Sequence, residues 1–530
     1  MSEKDQQFLK VLTMAPEGAG EEKSGCEESS CGSSQGPADM DPAVWEKVKN
    51  HPCYSVEAHN FYARMHVAVA PACNIQCHYC NRKYDCSNES RPGVVSERLT
   101  PEMAAKKVLA VASEIPQMTV LGIAGPGDSL ANPDKTFKTF ELIQKSAPDI
   151  KLCLSTNGLA LPDWVDRIQD YNVDHVTVTI NMVDPEVGEK IYPWIFYNKK
   201  RWKGQDAAKI LSERQLLGLE MLKAKGILVK VNSVMIPGVN DDHLVAVNRE
   251  VKKRGAFLHN IMPLISEPEH GTYYGLNGQR GPTPQELKAL QDKCEEGEMN
   301  MMRHCRQCRA DAVGLLGEDR SEEFTTERIE SIDIKDVAYN LEARQNYQKE
   351  VEARREMDRR MNEIVKGELS RLGNRELPAD AATLLVGVAT QGGGEINQHF
   401  GHAREFQVYE LTRSGSKFVG HRRVDLYCEG GYGEEDSLER TVEALADCVA
   451  VFVAKVGGCP KKTLQDAGIE PVDRFAFQPI EHSLLSYYKE YVEGVRMGTV
   501  EPKRAKGVGR IRSGALTSAS AGGGCSVEKD

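Results

Sequence analysis

The chain lacks any apolar run near the ~18 residues that a membrane span requires. Its first 30 residues also lack a cationic stretch followed by an apolar one, so no secretory leader is read there. A soluble, cytoplasmic protein is the expectation. Positive charge is in short supply, with 67 Lys and Arg against 78 Asp and Glu, a net charge of −11. Such a balance argues against nucleic acid and membrane surfaces as partners. A complete disulfide framework is missing as well. The 15 cysteines are odd in number, and 530 residues can build a core without staples. In a reducing compartment, closely spaced thiols read first as metal ligands or catalytic groups. Five of them fall into two tight groups, Cys73/Cys77/Cys80 and Cys305/Cys308.

What is present is organised in five stretches. Residues 1–40 are rich in Gly, Ser, Glu and Pro and read as a disordered segment that includes Cys26 and Cys31. Residues 41–320 alternate between strand-like and helical text. Strands are expected at Arg64–Ala70, Met118–Ala124, Ile150–Thr156, His175–Asn181, Ile227–Met235 and Ala256–Leu264, all rich in Val, Ile and Leu with little alternation. Helices are expected at Thr100–Ala112, Pro133–Ser146, Leu161–Asp170 and Asp206–Lys225, the first with Thr100 as N-cap and Pro101 behind it. Six βα units imply an α/β fold with a parallel sheet, doubly wound or curled into a partial barrel, and ligands at the C-terminal strand ends. Residues 321–381 are heavily charged and read as an exposed helical linker, with RELPAD as its boundary. Residues 382–495 form a second, smaller α/β domain, and 496–530 a flexible tail.

The chemistry-bearing motif is Cys73-Asn-Ile-Gln-Cys77-His-Tyr79-Cys80, just past the first strand. Three soft thiolates suit iron–sulfur clusters or zinc. A structural zinc site would call for a fourth ligand nearby, whereas three thiolates on a cubane leave one iron open. The spacing resembles the radical S-adenosylmethionine (SAM) signature, with Tyr79 as its usual aromatic. Gly125-Pro-Gly127-Asp128 follows the second strand and resembles the Gly-Gly-Glu element that holds the methionine amino group in that superfamily. Its glycines let backbone approach a ligand, and Asp128 can accept from an ammonium group. Ser155 ends the third strand, Thr177 and Thr179 lie on the fourth, and Val231 on the fifth is read as lining the adenosine. Five further cysteines, Cys53, Cys86, Cys153, Cys305 and Cys308, lie in or beside the same fold, with His51, His59 and His66 around Cys53. Grouped by reach, Cys86 goes with Cys305 and Cys308, and Cys53 with Cys153 and a histidine. Each set has three ligands, enough to hold a cluster and leave one iron open. In the second domain His399, His402, Cys428 and Cys459 are possible ligands for a carried cluster.

These stretches, among them HPCYSVEAHNFYARMHVAVAPACNIQCHYC, GIAGPGDSLAN, CLSTNGL, HVTVTINMVDPEVG, SEPEHGTYYGLNGQRGPT and RHCRQCRADAVGLLGED, resemble the NifB family of nitrogenase cofactor maturases over residues 41–320. VGVATQGGGEINQHFGHAREFQVYEL, in 382–495, is similar to the NifX/NafY type of cofactor-binding domain. The resemblance implies a partial (β/α)6 radical SAM barrel that takes two 4Fe–4S clusters as substrates. They are fused, a carbide from the SAM methyl group is inserted and a further sulfur added. The implied product is NifB-co, the eight-iron precursor of the iron–molybdenum cofactor. By the same resemblance Cys73, Cys77 and Cys80 hold the radical-generating 4Fe–4S cluster. Cys86, Cys305 and Cys308 hold one substrate cluster, and Cys53, Cys153 and a histidine, His66 in preference to His51 or His59, hold the other. Implied partners are cluster-delivery and cofactor-carrier proteins of the NifX/NafY and NifEN type and a reductant protein. Two other readings stand beside this one. A radical peptide-modifying enzyme would carry a seven-cysteine C-terminal segment and a peptide-recognition domain, and neither is seen. A cluster scaffold would have no use for the Gly125–Asp128 element.

Overall fold

The computed structural model describes residues 40–502, apart from 56, 89–92, 298, 306–307, 316–318, 334–336, 338, 372–382, 425–427, 430–431 and 434. Almost all of the segment expected to be disordered (1–39), the RELPAD boundary and the tail from 503 lie outside the described residues. The chain divides into two units, Met1–Trp45 and Glu46–Asp530, and the second carries everything described below.

Six parallel strands, β1 (Ala63–His66), β2 (Met118–Ile123), β3 (Lys151–Thr156), β4 (Val173–Thr179), β5 (Leu228–Met235) and β6 (Leu258–Pro263), lie side by side in chain order. A short β7 (Val313–Gly314) runs antiparallel along β1. This order decides between the two architectures open to the sequence. A doubly wound sheet reverses its strand order at a switch point. Here every right-handed crossover steps in one direction, so the helices cover one face and the other face curls inward as a partial barrel. The helices are α1 (Pro101–Glu114), α2 (Pro133–Ser146), α3 (Val165–Ile168), α4 (Pro185–Ile191), α5 (Gly204–Ala224), α6 (Leu244–Lys253) and α7 (Pro284–Glu295). Thr100 caps α1 as expected, its hydroxyl accepting from Met103 N at 3.2 Å. The expected helix Leu161–Asp170 is shorter, a 3-10 turn at Leu161–Asp163 followed by α3. The outward residues of the strands, such as Leu121, Leu152, Leu154, Val176 and Val229, are sealed against the helices.

The charged linker forms one long helix, α8 (Leu341–Arg371). Its expected exposure is corrected by its arginines. Arg344 is 2% exposed and pairs with Asp149 at 2.9 Å, and Arg355 is 0% exposed and pairs with Glu57 at 3.0 Å. Charge density in the sequence concealed a docked face, because arginine can bury its stem while a fixed carboxylate satisfies its head. Val351 packs with Ala58 and Tyr62 of the barrel domain, and Val365 and Leu369 join the core of the second domain.

The second domain has a five-stranded mixed sheet in the order β10–β9–β8–β11–β12, formed by β8 (Leu384–Val388), β9 (Glu405–Thr412), β10 (Gly415–Arg423), β11 (Ala450–Phe452) and β12 (Glu470–Val472). Its helices are α9 (Glu435–Ala444), α10 (Gly458–Asp466) and α11 (Ile480–Met497). The edge strand β12 is only three residues long. His399 Nδ1 accepts from Gly401 N at 3.0 Å, and its ring lies 4.9 Å from that of His402. Cys459 is disulfide-bonded and so offers no thiolate, and the Cys428 side chain lies outside the described residues.

Candidate active site

Alternation along each strand builds the site. Inside the curl, β1 presents Arg64 and His66, β3 Cys153 and Ser155, and β5 Lys230 and Asn232. These residues line one deep cavity, and Cys53, Cys305 and Cys308 line it too. A second cavity is lined by Cys73, Cys77, Cys80 and Cys86, with Asp128, Asn157 and Thr179. Asn88 and Ser155 belong to both walls, so the two cavities adjoin.

The cysteine loop is held rigidly. Its Ile75–Gln76 segment pairs antiparallel with Trp194–Tyr197, and the Gln76 amide donates to the carbonyls of Cys77 and Cys80 at 2.9 and 2.8 Å. The Gly125–Asp128 loop is stitched to the residues ahead of Cys73: Gly127 N donates to Ala70 O at 2.6 Å and Asp128 N to Ala72 O at 2.8 Å. A Cβ on Gly127 would lie 2.1 Å from Ala72 O, so glycine is required for this approach. Burial pushes the Cys73 thiol up to about 12 and Cys53 to about 11, and raises Cys77, Cys80 and Cys86 as well. As thiols these groups are neutral at pH 7, and binding iron would expel their protons. Among the described residues no three His, Cys, Asp or Glu side chains converge as ligands of one metal ion. Thiolates that hold a cubane bind different irons and stand farther apart. Three soft donors, a glycine cradle and the polar wall of Ser155, Asn157 and Thr179 fit a cluster with a small polar ligand.

The structure places the other expected positions as follows. The Asp128 carboxylate is already saturated, accepting from Leu130 N, Ala131 N, the Thr156 hydroxyl and Asn157 N at 2.6–3.2 Å. It ties the β2 and β3 ends together, leaving little capacity for an ammonium group. Tyr79 is buried behind the cysteine loop, donating from its hydroxyl to Asn88 of the cavity wall at 2.7 Å and accepting from Asn181 at 2.6 Å. Gly125 is not in the wall; its carbonyl accepts from Ala70 N at 3.0 Å. Val231 faces the helices within the core, because one residue along a strand reverses the face. Its neighbours Lys230 and Asn232 point inward instead. Cys86 lies with Cys73, Cys77 and Cys80, while Cys305 and Cys308 share the deep cavity with Cys53 and Cys153.

Two family models match the chain: the radical SAM superfamily over residues 67–251 and the dinitrogenase iron–molybdenum cofactor family over 382–490. A protein of Herbaspirillum seropedicae described as FeMo cofactor biosynthesis protein NifB is 69% identical, with 93% of this chain and 92% of that one covered. The chain belongs to the NifB family. Proteins with the same description from Bradyrhizobium diazoefficiens and Azotobacter vinelandii are 64% and 56% identical, covering 91% and 89% of this chain and 95% and 94% of theirs.

Within this NifB-family barrel, hydrogen bonding distinguishes the three histidines. The His66 ring lies against Gly122, where a Cβ would come within 2.8 Å of it. His66 Nδ1 is 2.9 Å from the Arg309 carbonyl, which can only accept, so the proton sits on Nδ1 and Nε2 keeps its lone pair. Burial, with the nearby Arg64 charge, lowers His66 to about 4, and the ring is neutral at pH 7. His51 differs: its Nδ1 accepts from Cys53 N at 3.1 Å, which favours the proton on Nε2. His59 stacks on His304 with ring centroids 5.2 Å apart and lies outside the walls of both cavities. Sequence reasoning missed Arg64, Lys230, Asn88 and Asn232. The first two were legible as charges inside otherwise apolar strand text, RMHVAVA and ILVKVNSVM.

Proposed function

We propose that the chain is a radical SAM enzyme of iron–molybdenum cofactor biosynthesis that fuses two four-iron clusters. A carbide from the SAM methyl group and one further sulfur are incorporated, and the product is the eight-iron precursor. The observation that carries this reading is the pair of adjoining cavities. One holds the three-cysteine loop, and the other gathers four further thiols and a neutral imidazole in one volume. An enzyme that only cleaved SAM would need the first cavity alone.

Cys73, Cys77 and Cys80 would hold the radical cluster, which together with SAM supplies a 5′-deoxyadenosyl radical. Gly127, Ser155 and Thr179 line the SAM side of that cavity. Cys86, Cys305 and Cys308 would hold one substrate cluster at the boundary between the cavities. Cys53, Cys153 and His66 would hold the other at the depth of the barrel. His66 would bind through Nε2, a neutral and labile ligand suited to a cluster that must later move. The work of the chain is proximity: strands and loops fix three sites within one barrel, so the transferred methyl group meets cluster sulfide beside the radical source.

A lyase- or transferase-type reaction follows from this scheme, together with a reductant protein, cluster donors and carriers of the NifX/NafY and NifEN type, and a cytoplasmic setting. No helix among the described residues is long and apolar enough to cross a membrane. The test supplies SAM labelled in its methyl carbon to the iron- and sulfide-loaded, reduced chain. Label retained in the protein-bound cluster after acid-labile methyl is removed supports carbide insertion. Deoxyadenosine formation without retained label would refute it.

A further inference from the structure

Among the described residues, the wall of the deep cavity contains four thiols, two cations, Arg64 and Lys230, and no carboxylate. Both cations are buried. Arg64 is gripped on one side, where its guanidinium donates to the Gly314 and Leu315 carbonyls at 2.5 and 3.0 Å. The rest of the fork faces Cys308 Sγ, with Nε at 3.3 Å and the second terminal nitrogen at 3.1 Å. A planar guanidinium held this way cannot rotate off the sulfur. Lys230 enters from β5, in register with Thr177 on β4, which is itself in register with Ser155 on β3. That row runs from Ser155, which both cavities share, into the deep cavity, where Lys230 lines the wall with Cys53 and Cys153. Two positive side chains on strands otherwise rich in Val, Leu and Ala give the thiol-lined wall a cationic character.

We propose that Arg64 and Lys230 form a fixed cationic cradle that holds two anionic iron–sulfur clusters against each other while they fuse, Arg64 through the ligand Cys308 and Lys230 from β5. The proposal rests on the two-cluster reading above. Reduced clusters ligated by thiolates are anions, and their repulsion grows in a cavity of low dielectric constant. Cations already in place offset that repulsion without reorganising during the reaction. An N–H donor aimed at a ligating sulfur, and a positive charge beside it, also raise the potential at which the cluster accepts an electron. Both residues act as positioning groups, since neither supplies an atom to the product.

The test loads the full-length chain anaerobically with iron and sulfide and follows a reductive titration by electron paramagnetic resonance without SAM. Arg64→Gln retains a donor and removes the charge, and Lys230→Met removes the other charge. In each variant the substrate-cluster signals are expected at more negative potential than in the wild type, and furthest in the double variant. Methyl label retained in the bound cluster is expected to fall with each charge removed, and furthest in the double variant. The SAM-induced change in the radical-cluster spectrum reports that the barrel has folded. If Arg64→Gln fails that check, Lys230→Met decides alone. Substrate-cluster potentials equal to the wild type in the folded variants would overturn the cradle. A wild-type chain that carries only the radical cluster would overturn both this proposal and the reading beneath it, and that result is recognised before any variant is made.

Discussion

Gly127→Ala is the sharpest perturbation the structure offers. The new Cβ would stand 2.1 Å from Ala72 O, 2.6 Å from its carbonyl carbon and 2.8 Å from Pro71 O. Real Cβ contacts stay above 3.0 Å, so the backbone must open by at least 0.9 Å. All three obstructing atoms belong to the segment that enters Cys73, and the same loop is zipped to it through Gly127 N and Asp128 N. The displacement therefore reaches the first cluster ligand directly. A misplacement of ~1 Å at a reacting centre costs about 10²-fold in rate. Overpacking itself costs roughly 1–3 kcal/mol, which a barrel with this core survives. Deoxyadenosine formation is expected to drop about hundredfold while the far-ultraviolet spectrum stays native. Gly458→Ala in α10, where a Cβ meets nothing within 4 Å, is the matched control with unchanged activity. If Gly127→Ala retains activity within twofold of wild type, the reasoning about this loop is wrong.

Other consequences are equally direct. His66→Ala should abolish the imidazole nitrogen coupling of a substrate cluster in pulsed resonance spectra, and His51→Ala should leave it in place; the opposite pattern would reverse the tautomer argument. Val231→Ala should lower stability by about 1–3 kcal/mol in denaturant unfolding with little change in SAM binding, because its side chain packs in the core. For Glu57, burial pushes the carboxyl up, but the ion pairs with Arg355 and Arg359 outweigh it and hold the group below its ordinary value. Its stabilising contribution is therefore present above the unfolded carboxylate range and lost as pH falls through the depressed folded value. Glu57→Gln should melt below wild type at pH 7 by an amount equivalent to roughly 1–2 kcal/mol, and the gap should close under acid conditions; a gap independent of pH would contradict the pairing. Because burial raises the Cys53 and Cys73 thiols, iron loading should weaken steadily as pH falls, with proton release measurable by calorimetry in buffers of different ionisation enthalpy.

How much of this was legible beforehand depends on which physical signal each residue carries. All six barrel strands and the capped start of α1 were readable, because apolar runs and Thr100-Pro101 report local preferences. The cysteine loop was readable from spacing alone. The inward or outward facing of a strand residue was not, since Val231 and Lys230 differ by one position in a run buried on both faces. The docking of α8 was concealed for a different reason. Arg344 and Arg355 look solvated in sequence, and only the distant Asp149 and Glu57 make their burial tolerable. Asp128 was read as a ligand-binding carboxylate, and its four donors come from backbone and side chains brought together by the fold. His66 was already preferred from the sequence, but its tautomer needed the Arg309 carbonyl, 243 residues away.

The central claim is that one barrel holds two substrate clusters beside the radical cluster. Mössbauer spectra and iron analysis of the anaerobically loaded, full-length chain test it most directly, with the Cys305→Ala/Cys308→Ala variant measured alongside. The account predicts three four-iron clusters in the wild type and one fewer in the variant, with the SAM-responsive cluster retained. A wild type with a single cluster, or a variant with unchanged iron, would contradict it.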